Sequence, residues 1–384
     1  MHVLIPVLHR PIKPTGVCRH AVNIAQCLAE TNEVSRVTLL IGEWQNEYFE
    51  QSFNLDSPKI QTVSIVVKRG AAARNIWYLN GLPKVANKLK PDIIHMSFPF
   101  PFLRSRFEAP IVCSSIHDLY PFEYPENFGY PQVWFNQWFL KQSINSSDGL
   151  ACVSKVTLDK LHHFFSRKDK DLEKEVQTQA VVYNYVDFST VELQRPATID
   201  TETYKPFILS VAQHRKNKNL DLLIRAHKAL IKSGSVSADA QLILVGSNGP
   251  ETEGLHQLVE ALDLRSQVIF LSALSDGELC WLYQNCELFV IPSSTEGFCL
   301  PLVEALAWSS KVVCSDIPIF QEVGSSSCTY FDVATESATI LSETMKVAIS
   351  AKQPTDICPD LRFSKGHVAR QLLTFYTSIN KSHG

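Results

Sequence analysis

The chain has 384 residues, 45% of them hydrophobic and 20% charged, with a formal net charge of -3. A single core rarely grows past roughly 250–300 residues, so this length predicts two domains. Residues 1–199 carry 21 Lys and Arg against 19 Asp and Glu, and the remainder 15 against 20, which excludes the strong basic excess of a dedicated nucleic-acid binder.

The amino terminus, MHVLIPVLHR, lacks a cationic segment followed by a long apolar run, and no stretch reaches the roughly 18–20 apolar residues of a membrane span. The expectation is a cytoplasmic protein, with peripheral contact at the inner face of the cell membrane left open. Ten cysteines lie mostly in apolar runs and form no Cys-x-x-Cys pair, which reads as buried free thiols rather than a disulfide scaffold.

Taken in chain order, short Val- and Ile-rich runs alternate with segments of helical period. VLIPV (3–7) precedes a helix over 17–30; VTLLI (37–41), VSIVV (63–67), DIIHM (92–96) and IVCSSI (111–116) follow. Helices are expected near 81–90, 131–146 and 155–165, and short strands near 150–153 and 180–183. Continuous apolar strands of this kind suit a parallel sheet covered on both faces. The polar, proline-containing stretch 187–206 reads as an interdomain connection. The alternation then restarts with strands at 207–212, 242–246, 268–272, 288–292 and 312–314. Helices at 219–232, 254–262, 276–285 and 301–308 lie between them. An α/β fold of two doubly wound domains follows: 1–190, 191–364, and a terminal helix from 365 that packs back on the first domain. Such sheets bind ligands beyond the carboxyl ends of their strands.

The richest segment is SSTEGFCLPLVEALAW (293–308), which follows a strand and opens a helix. Glu296 and Glu304 each suit the gripping of sugar hydroxyls, since a carboxylate accepts two hydrogen bonds readily. Gly297 permits close backbone approach, and the N–H groups around Cys299 and Leu300 suit a phosphate. Pro301 fits the first helical turn. An acidic cap on an ordinary amphipathic helix would look the same. SVAQHRKNKNLDLLIRAH (210–227) sets Arg215, Lys216 and Lys218 between strand and helix, where cations would neutralise a diphosphate or form a solvated turn. In the first domain Gly16 lies between strand and helix in PTGVCRH, with Arg19 and His20 read as surface helix residues. His117 and Asp118 end a strand in SSIHDLYP, and Asn184 and Asp187 read as part of a turn. Met96 and Met345 read as packing.

In order, these segments resemble the retaining glycosyltransferase family 4, whose members have the GT-B fold of two Rossmann-like domains facing a central cleft. IHDLYPFEYPE (116–126) is similar to the family's first-domain histidine segment and VVYNYVDFS (181–189) to its Asn-Gly-Val-Asp segment, with Tyr185 for the usual glycine. HRKNKNLDLLIRAH (214–227) resembles its phosphate-binding turn, and residues 268–323 its core signature with the E-x7-E motif. The resemblance implies that Glu296 holds donor-sugar hydroxyls and Glu304 the ribose. It implies that Arg215 and Lys218 bind the diphosphate with Gly16 close by. The backbone of Gly297, Phe298, Cys299 and Leu300 would meet sugar and phosphate, and His117 would lie at the sugar near its C6 side. Cys299 replaces a usual glycine, Ser309 and Ser310 replace a Gly-containing turn, and Gln213 stands where many members carry arginine.

The implied activity is retaining transfer of a hexose from a UDP- or GDP-sugar to a glycan or lipid-linked acceptor in cell-envelope polysaccharide synthesis. The nucleotide sugar is a substrate; no cofactor and no metal ion is expected, because no His/Cys/Asp cluster has ligand spacing. A nucleotide-sugar-binding subunit without turnover is the alternative, and a phosphorylase or epimerase on the same frame a third reading. Lys84, Lys88, Lys90 and the Arg104-Ser105-Arg106 run suggest a face for anionic lipid or a lipid diphosphate, or a plain solvated surface.

Overall fold

The computed structural model describes residues 1–9, 16–68, 70–165, 177–188, 191–199, 206–352 and 360–382. Pro14, Thr15, Cys358 and parts of the 187–206 connection lie outside the described residues. The chain forms two compact units, one of residues 1–185 with 361–384 and one of 186–360.

The first unit is built on strands β1 (His2–Pro6), β2 (Arg36–Gly42), β3 (Ile60–Ile65), β4 (Ile93–Met96), β5 (Ile111–Ile116), β6 (Gly149–Cys152) and β7 (Thr178–Val181). All pair in parallel, in the order β3-β2-β1-β4-β5-β6-β7. Helices α1 (Gly16–Ala29), α2 (Asn46–Ser52), α3 (Ala71–Ile76), α4 (Leu82–Leu89), α5 (Tyr120–Glu123), α6 (Gln132–Ser146) and α7 (Lys155–Phe165) connect them. Strand β1 shows why the sequence reads as a continuous apolar run. Val3 and Ile5 join the core on one face, with Val22 and Leu28 of α1, while Leu4 joins Leu82 and Ala86 of α4 on the other. Both faces are covered, so both must be apolar.

The second unit repeats the scheme with β8 (Phe207–Val211), β9 (Gln241–Val245), β10 (Val268–Leu271), β11 (Leu288–Ile291), β12 (Val312–Ser315) and β13 (Thr329–Phe331). Its parallel order is β10-β9-β8-β11-β12-β13. Its helices are α8 (Leu220–Lys232), α9 (Thr252–Ala261), α10 (Asp276–Asn285), α11 (Leu300–Ala307), α12 (Pro318–Gly324) and α13 (Ala338–Ser350). Helix α14 (Lys365–Ser382) follows and belongs to the first unit, where Val368, Leu372, Phe375, Tyr376 and Ile379 enter the same core as α1. Met96 and Met345 are fully buried, as packing residues should be.

In each sheet the winding direction reverses between two adjacent strands, β1 and β4 in one unit and β8 and β11 in the other. Loops leaving the carboxyl ends of such a strand pair diverge to opposite faces and leave a crevice for ligands.

Candidate functional site

In the second unit the two switch-point strands deliver the two motif segments side by side. The loop after β8 carries Arg215, Lys216 and Lys218; the loop after β11 carries Glu296, Gly297, Phe298 and Cys299. Side chains and backbone stitch them together. Asn219 Nδ2 donates to the Pro292 carbonyl (2.8 Å), Asn217 Nδ2 to the Thr295 carbonyl (3.2 Å), and the Ser294 N–H to the Asn217 carbonyl (2.9 Å). Asn219 adopts φ 49° at the start of α8, a left-handed geometry that asparagine tolerates.

Lys218 Nζ lies 2.5 Å from Glu296 Oε1, with side-chain exposures of 17% and 13%. Ser293 Oγ donates to the same oxygen at 2.9 Å. One oxygen of Glu296 is thereby engaged twice. Glu304, one turn into α11 and 8% exposed, accepts from the Tyr283 hydroxyl on Oε2 at 2.9 Å. Burial, and then the Glu304 charge, pushes the Tyr283 phenol well above its ordinary range, so it stays a donor. Both motif carboxylates therefore have a protein donor holding one oxygen in place.

Cys299 sits at φ 69° immediately before α11. A side chain in this left-handed region costs roughly 1–2 kcal/mol over glycine-compatible geometry. The position that departs from the family's glycine is thus one where the backbone still has glycine's conformation. Burial, followed by the Glu296 carboxylate, raises the Cys299 thiol well above its usual value, which makes it a poor nucleophile at neutral pH. At the start of α11, Pro301 has no N–H and the Leu302 N–H donates to the Cys299 carbonyl at 3.1 Å.

Close approach of a neighbouring loop also explains the glycines of VGSNG (245–249). A Cβ at Gly246 would lie 1.9 Å from the Ala212 carbonyl oxygen, and one at Gly249 2.2 Å from that of His214. No side chain fits either position while the 212–214 loop stays where it is.

In the first unit His117 follows β5 directly. Its Nε2 donates to the Ser97 carbonyl at 2.7 Å, and Ser97 Oγ donates to the Pro6 carbonyl at 3.0 Å, joining the ends of β5, β4 and β1. Burial lowers the His117 pKa, so the ring is neutral at pH 7. Gly16 is exposed at the start of α1 and has nothing within 4 Å of its Cβ position.

One expectation is corrected here. His20 is not a surface helix residue: it is 3% exposed and its ring packs edge-on against His117 at 4.5 Å between centroids. It lies on the core-facing side of α1, a placement that helical period alone leaves ambiguous for a polar ring. In the Arg104-Ser105-Arg106 run, read as a lipid face or a plain solvated surface, only Arg104 has its charge paired, while Arg106 stays exposed with neutral partners. Arg104 pairs with Asp148 at 2.7 Å and caps the Ala109 and Pro110 carbonyls, while Arg106 donates to the Leu79 carbonyl and Asn80. Lys84, Lys88 and Lys90 are exposed, as expected.

Residues that the sequence reading left out include Tyr283 and Ser293, which hold the motif carboxylates, and Asn217 and Asn219, which tie the two loops together. For Ser293, Asn217 and Asn219 the sequence signal is proximity to a strand end or a helix start; Tyr283, in the last turn of α10, carries none. Among the described residues, no group of three or more His, Cys, Asp or Glu side chains could hold a metal ion, and no helix is long and apolar enough to cross a membrane.

Tandem doubly wound units, with paired carboxylates and a cationic loop at a switch point, define a GT-B glycosyltransferase. The chain belongs to that class by family: residues 195–354 match the glycosyl transferases group 1 and residues 14–173 match glycosyltransferase family 4. It is 27% identical over 317 residues to the O-antigen chain mannosyltransferase RfbU of Salmonella typhimurium, covering 80% of both chains. It is 25% identical to O-antigen chain mannosyltransferase B of Escherichia coli, covering 80% of this chain and 81% of that protein. Among solved structures, Anabaena HepE with UDP and glucose superposes with a TM-score of 0.65 at 16% identity, covering 100% of this chain and 98% of the other. WaaG, a lipopolysaccharide glycosyltransferase, gives 0.66 at 16% identity with full coverage of both chains. These last two likenesses speak to fold.

Proposed function

We propose that this glycosyltransferase moves a hexosyl group, with mannosyl the first candidate, from a UDP- or GDP-sugar to a hydroxyl of a glycan or lipid-linked acceptor. The process would be O-antigen or related cell-envelope polysaccharide assembly, with retention at the anomeric carbon. The observation that carries the reading is the juxtaposition of Lys218, Glu296 and Ser293 at one switch point, with Glu304 held by Tyr283 on the adjoining helix. The mannosyltransferase relatives support the sugar and the pathway. Support for a lipid-linked acceptor comes from a Campylobacter jejuni relative, 31% identical over 47% of this chain, whose name specifies a diphospho-undecaprenol substrate.

In this reading the anomeric C–O bond to the diphosphate breaks while the acceptor oxygen bonds on the same face, and the acceptor proton passes to the departing diphosphate. Negative charge grows on that oxygen, so Lys218 and Arg215 contribute most in the transition state. A diphosphate offers Lys218 a second anionic partner beside Glu296. Glu296 then accepts sugar hydroxyls and Glu304 ribose hydroxyls; the backbone of Gly297, Phe298, Cys299 and Leu300 meets sugar and phosphate. Gly16 lies near the diphosphate, and His117 meets the donor sugar. No metal ion takes part.

Peripheral membrane contact belongs to the same reading. Tyr130, Trp134, Phe135 and Trp138 are 70%, 61%, 54% and 54% exposed on and before α6. Residues 128–147 carry no acid and one lysine. Exposed tryptophan and tyrosine with an apolar body and a polar tip suit the bilayer interface.

The test is a panel of labelled UDP- and GDP-hexoses, with and without a polyprenyl-diphosphate acceptor, in buffer containing EDTA. Acceptor-dependent transfer from one donor, with the product anomer matching the donor by NMR, is expected. Inversion, or turnover that needs an added divalent ion, would overturn the mechanism. Binding of nucleotide sugar without transfer to any acceptor would instead favour a regulatory subunit.

A further inference from the structure

Behind His117 the first unit holds a buried polar chain that the transfer reaction does not account for. It runs through four consecutive hydrogen bonds: Tyr376 Oη to His95 Nδ1 (2.6 Å), His95 Nε2 to Ser115 Oγ (2.8 Å), Ser115 Oγ to His20 Nε2 (2.8 Å), and His20 Nδ1 to Asn184 Oδ1 (2.6 Å). All five residues are buried, and they come from α14, β4, β5, α1 and the segment after β7.

Hydrogen-bonding capacity gives this chain one direction. Asn184 Oδ1 only accepts, so His20 Nδ1 carries a proton and, in a neutral ring, His20 Nε2 accepts. Ser115 has a single hydroxyl proton and must spend it on His20. Ser115 Oγ therefore accepts from His95 Nε2–H, which leaves His95 Nδ1 to accept from the Tyr376 hydroxyl. Every donor is used once. A second proton on His20 Nε2 would face the Ser115 hydroxyl proton, and one on His95 Nδ1 would face the Tyr376 hydroxyl proton; burial lowers both rings well below the ordinary histidine value.

His20 is thus locked on both nitrogens, and it is this fixed ring that meets His117 edge-on at 4.5 Å. His117 Nε2–H is committed to the Ser97 carbonyl, so Nδ1 of the neutral ring carries the lone pair. We propose that His20 is a positioning residue: its doubly anchored ring holds His117 in the orientation that offers a ligand hydroxyl the Nδ1 acceptor, the Ser97 carbonyl fixing the tautomer. This rests on the reading that His117 meets the donor sugar.

Four variants test it by kcat, donor KM and melting midpoint. His20→Phe keeps a flat ring and loses both anchors; His20→Gln keeps one donor and one acceptor. Tyr376→Phe cuts the far end of the chain, and His117→Ala sets the floor. Positioning predicts that His20→Phe lowers kcat by about tenfold with donor KM within about twofold, that His20→Gln recovers most of the loss, and that Tyr376→Phe lowers the midpoint without lowering kcat. Should His20→Phe not fold, Asn184→Ala, which frees the Nδ1 anchor alone, is expected to lower kcat in the same way. Wild-type kcat in His20→Phe or Asn184→Ala alongside an impaired His117→Ala overturns the proposal and leaves the role of His117 standing. A kcat that falls in step with the midpoint across all variants, Tyr376→Phe included, reduces the chain to a structural device. Full activity in His117→Ala removes the underlying reading as well.

Discussion

Lys218 and Glu296 are nearly shielded from water at 2.5 Å, so removing either leaves the other poorly solvated. Lys218→Ala is expected to lower kcat by about a hundredfold or more, the scale seen when a preorganised transition-state charge partner is lost. Product formation under saturating donor checks this, and an unchanged kcat would exclude charge stabilisation by Lys218. Tyr283→Phe deletes one hydroxyl and leaves Glu304 Oε2 without its buried donor. A hydrogen bond to a charged group is worth about 1.5–3 kcal/mol, so nucleotide affinity should weaken about tenfold or more. Isothermal titration with UDP and GDP measures it; affinity equal to wild type would sever Tyr283 from the site. At Cys299 the two effects of glycine oppose each other, relief of a left-handed side chain against extra freedom in the unfolded chain. Cys299→Gly should stay close to wild type in urea unfolding. Cys299→Val, β-branched at φ 69°, should lose about 2 kcal/mol, and equal stability of the two variants would contradict the backbone argument.

At the scale of elements, α6 separates two demands. Leu140, Ser143 and Ile144 are buried, while Trp134, Phe135 and Trp138 stand in solvent. Replacing these three exposed rings by Ser should change the melting midpoint little, because their ring contacts, to Tyr130 and Phe139, lie outside the buried core. The same change should abolish flotation with phosphatidylcholine–phosphatidylglycerol vesicles. Retained flotation that is lost instead on replacing Lys84, Lys88 and Lys90 would move the contact to α4, and concentration-dependent dimers abolished by the Ser variant would give the aromatic face to a second copy. Element existence was largely readable beforehand, since strands buried on both faces are apolar throughout and helices between them carry a clear period. The reading passed over α2, α3, α5, α12, β13 and α13. Helix α13 exposes Ile340 and Val347, so its apolar residues do not sort cleanly onto one face. Strand β13 has three residues, too few for any periodic signal.

At the scale of the whole molecule, buried neutral histidines tie stability to pH. Burial lowers His95 to about 3 and His227 to about 4, from an ordinary 6.5. The unfolded chain binds protons on these rings below pH 6.5 while the folded chain does not. The stability they contribute is therefore present above pH 6.5 and is lost as pH falls toward their folded values. Each group costs on the order of 1 kcal/mol per pH unit within that window. Urea midpoints should fall between pH 7 and pH 5.5 and hold steady between pH 7 and pH 8; a flat profile down to pH 5 would mean that these rings take up protons as readily in the fold as in the unfolded chain.

Fold class was legible in one dimension because strand periodicity is a local property; the family came from the resemblance of the motif segments, which also nominated Glu296, Glu304, Lys218, Arg215 and His117. What holds those residues was not. Tyr283 reaches Glu304, Ser293 and Lys218 converge on one oxygen of Glu296, and His20 reaches His117 across contacts that join distant positions. A hydrogen bond needs a distance and an angle, and sequence supplies only a residue's capacity to make one. The packing of helices on sheets decides which partner comes within reach, and so which histidine becomes a surface residue and which a buried, directional link.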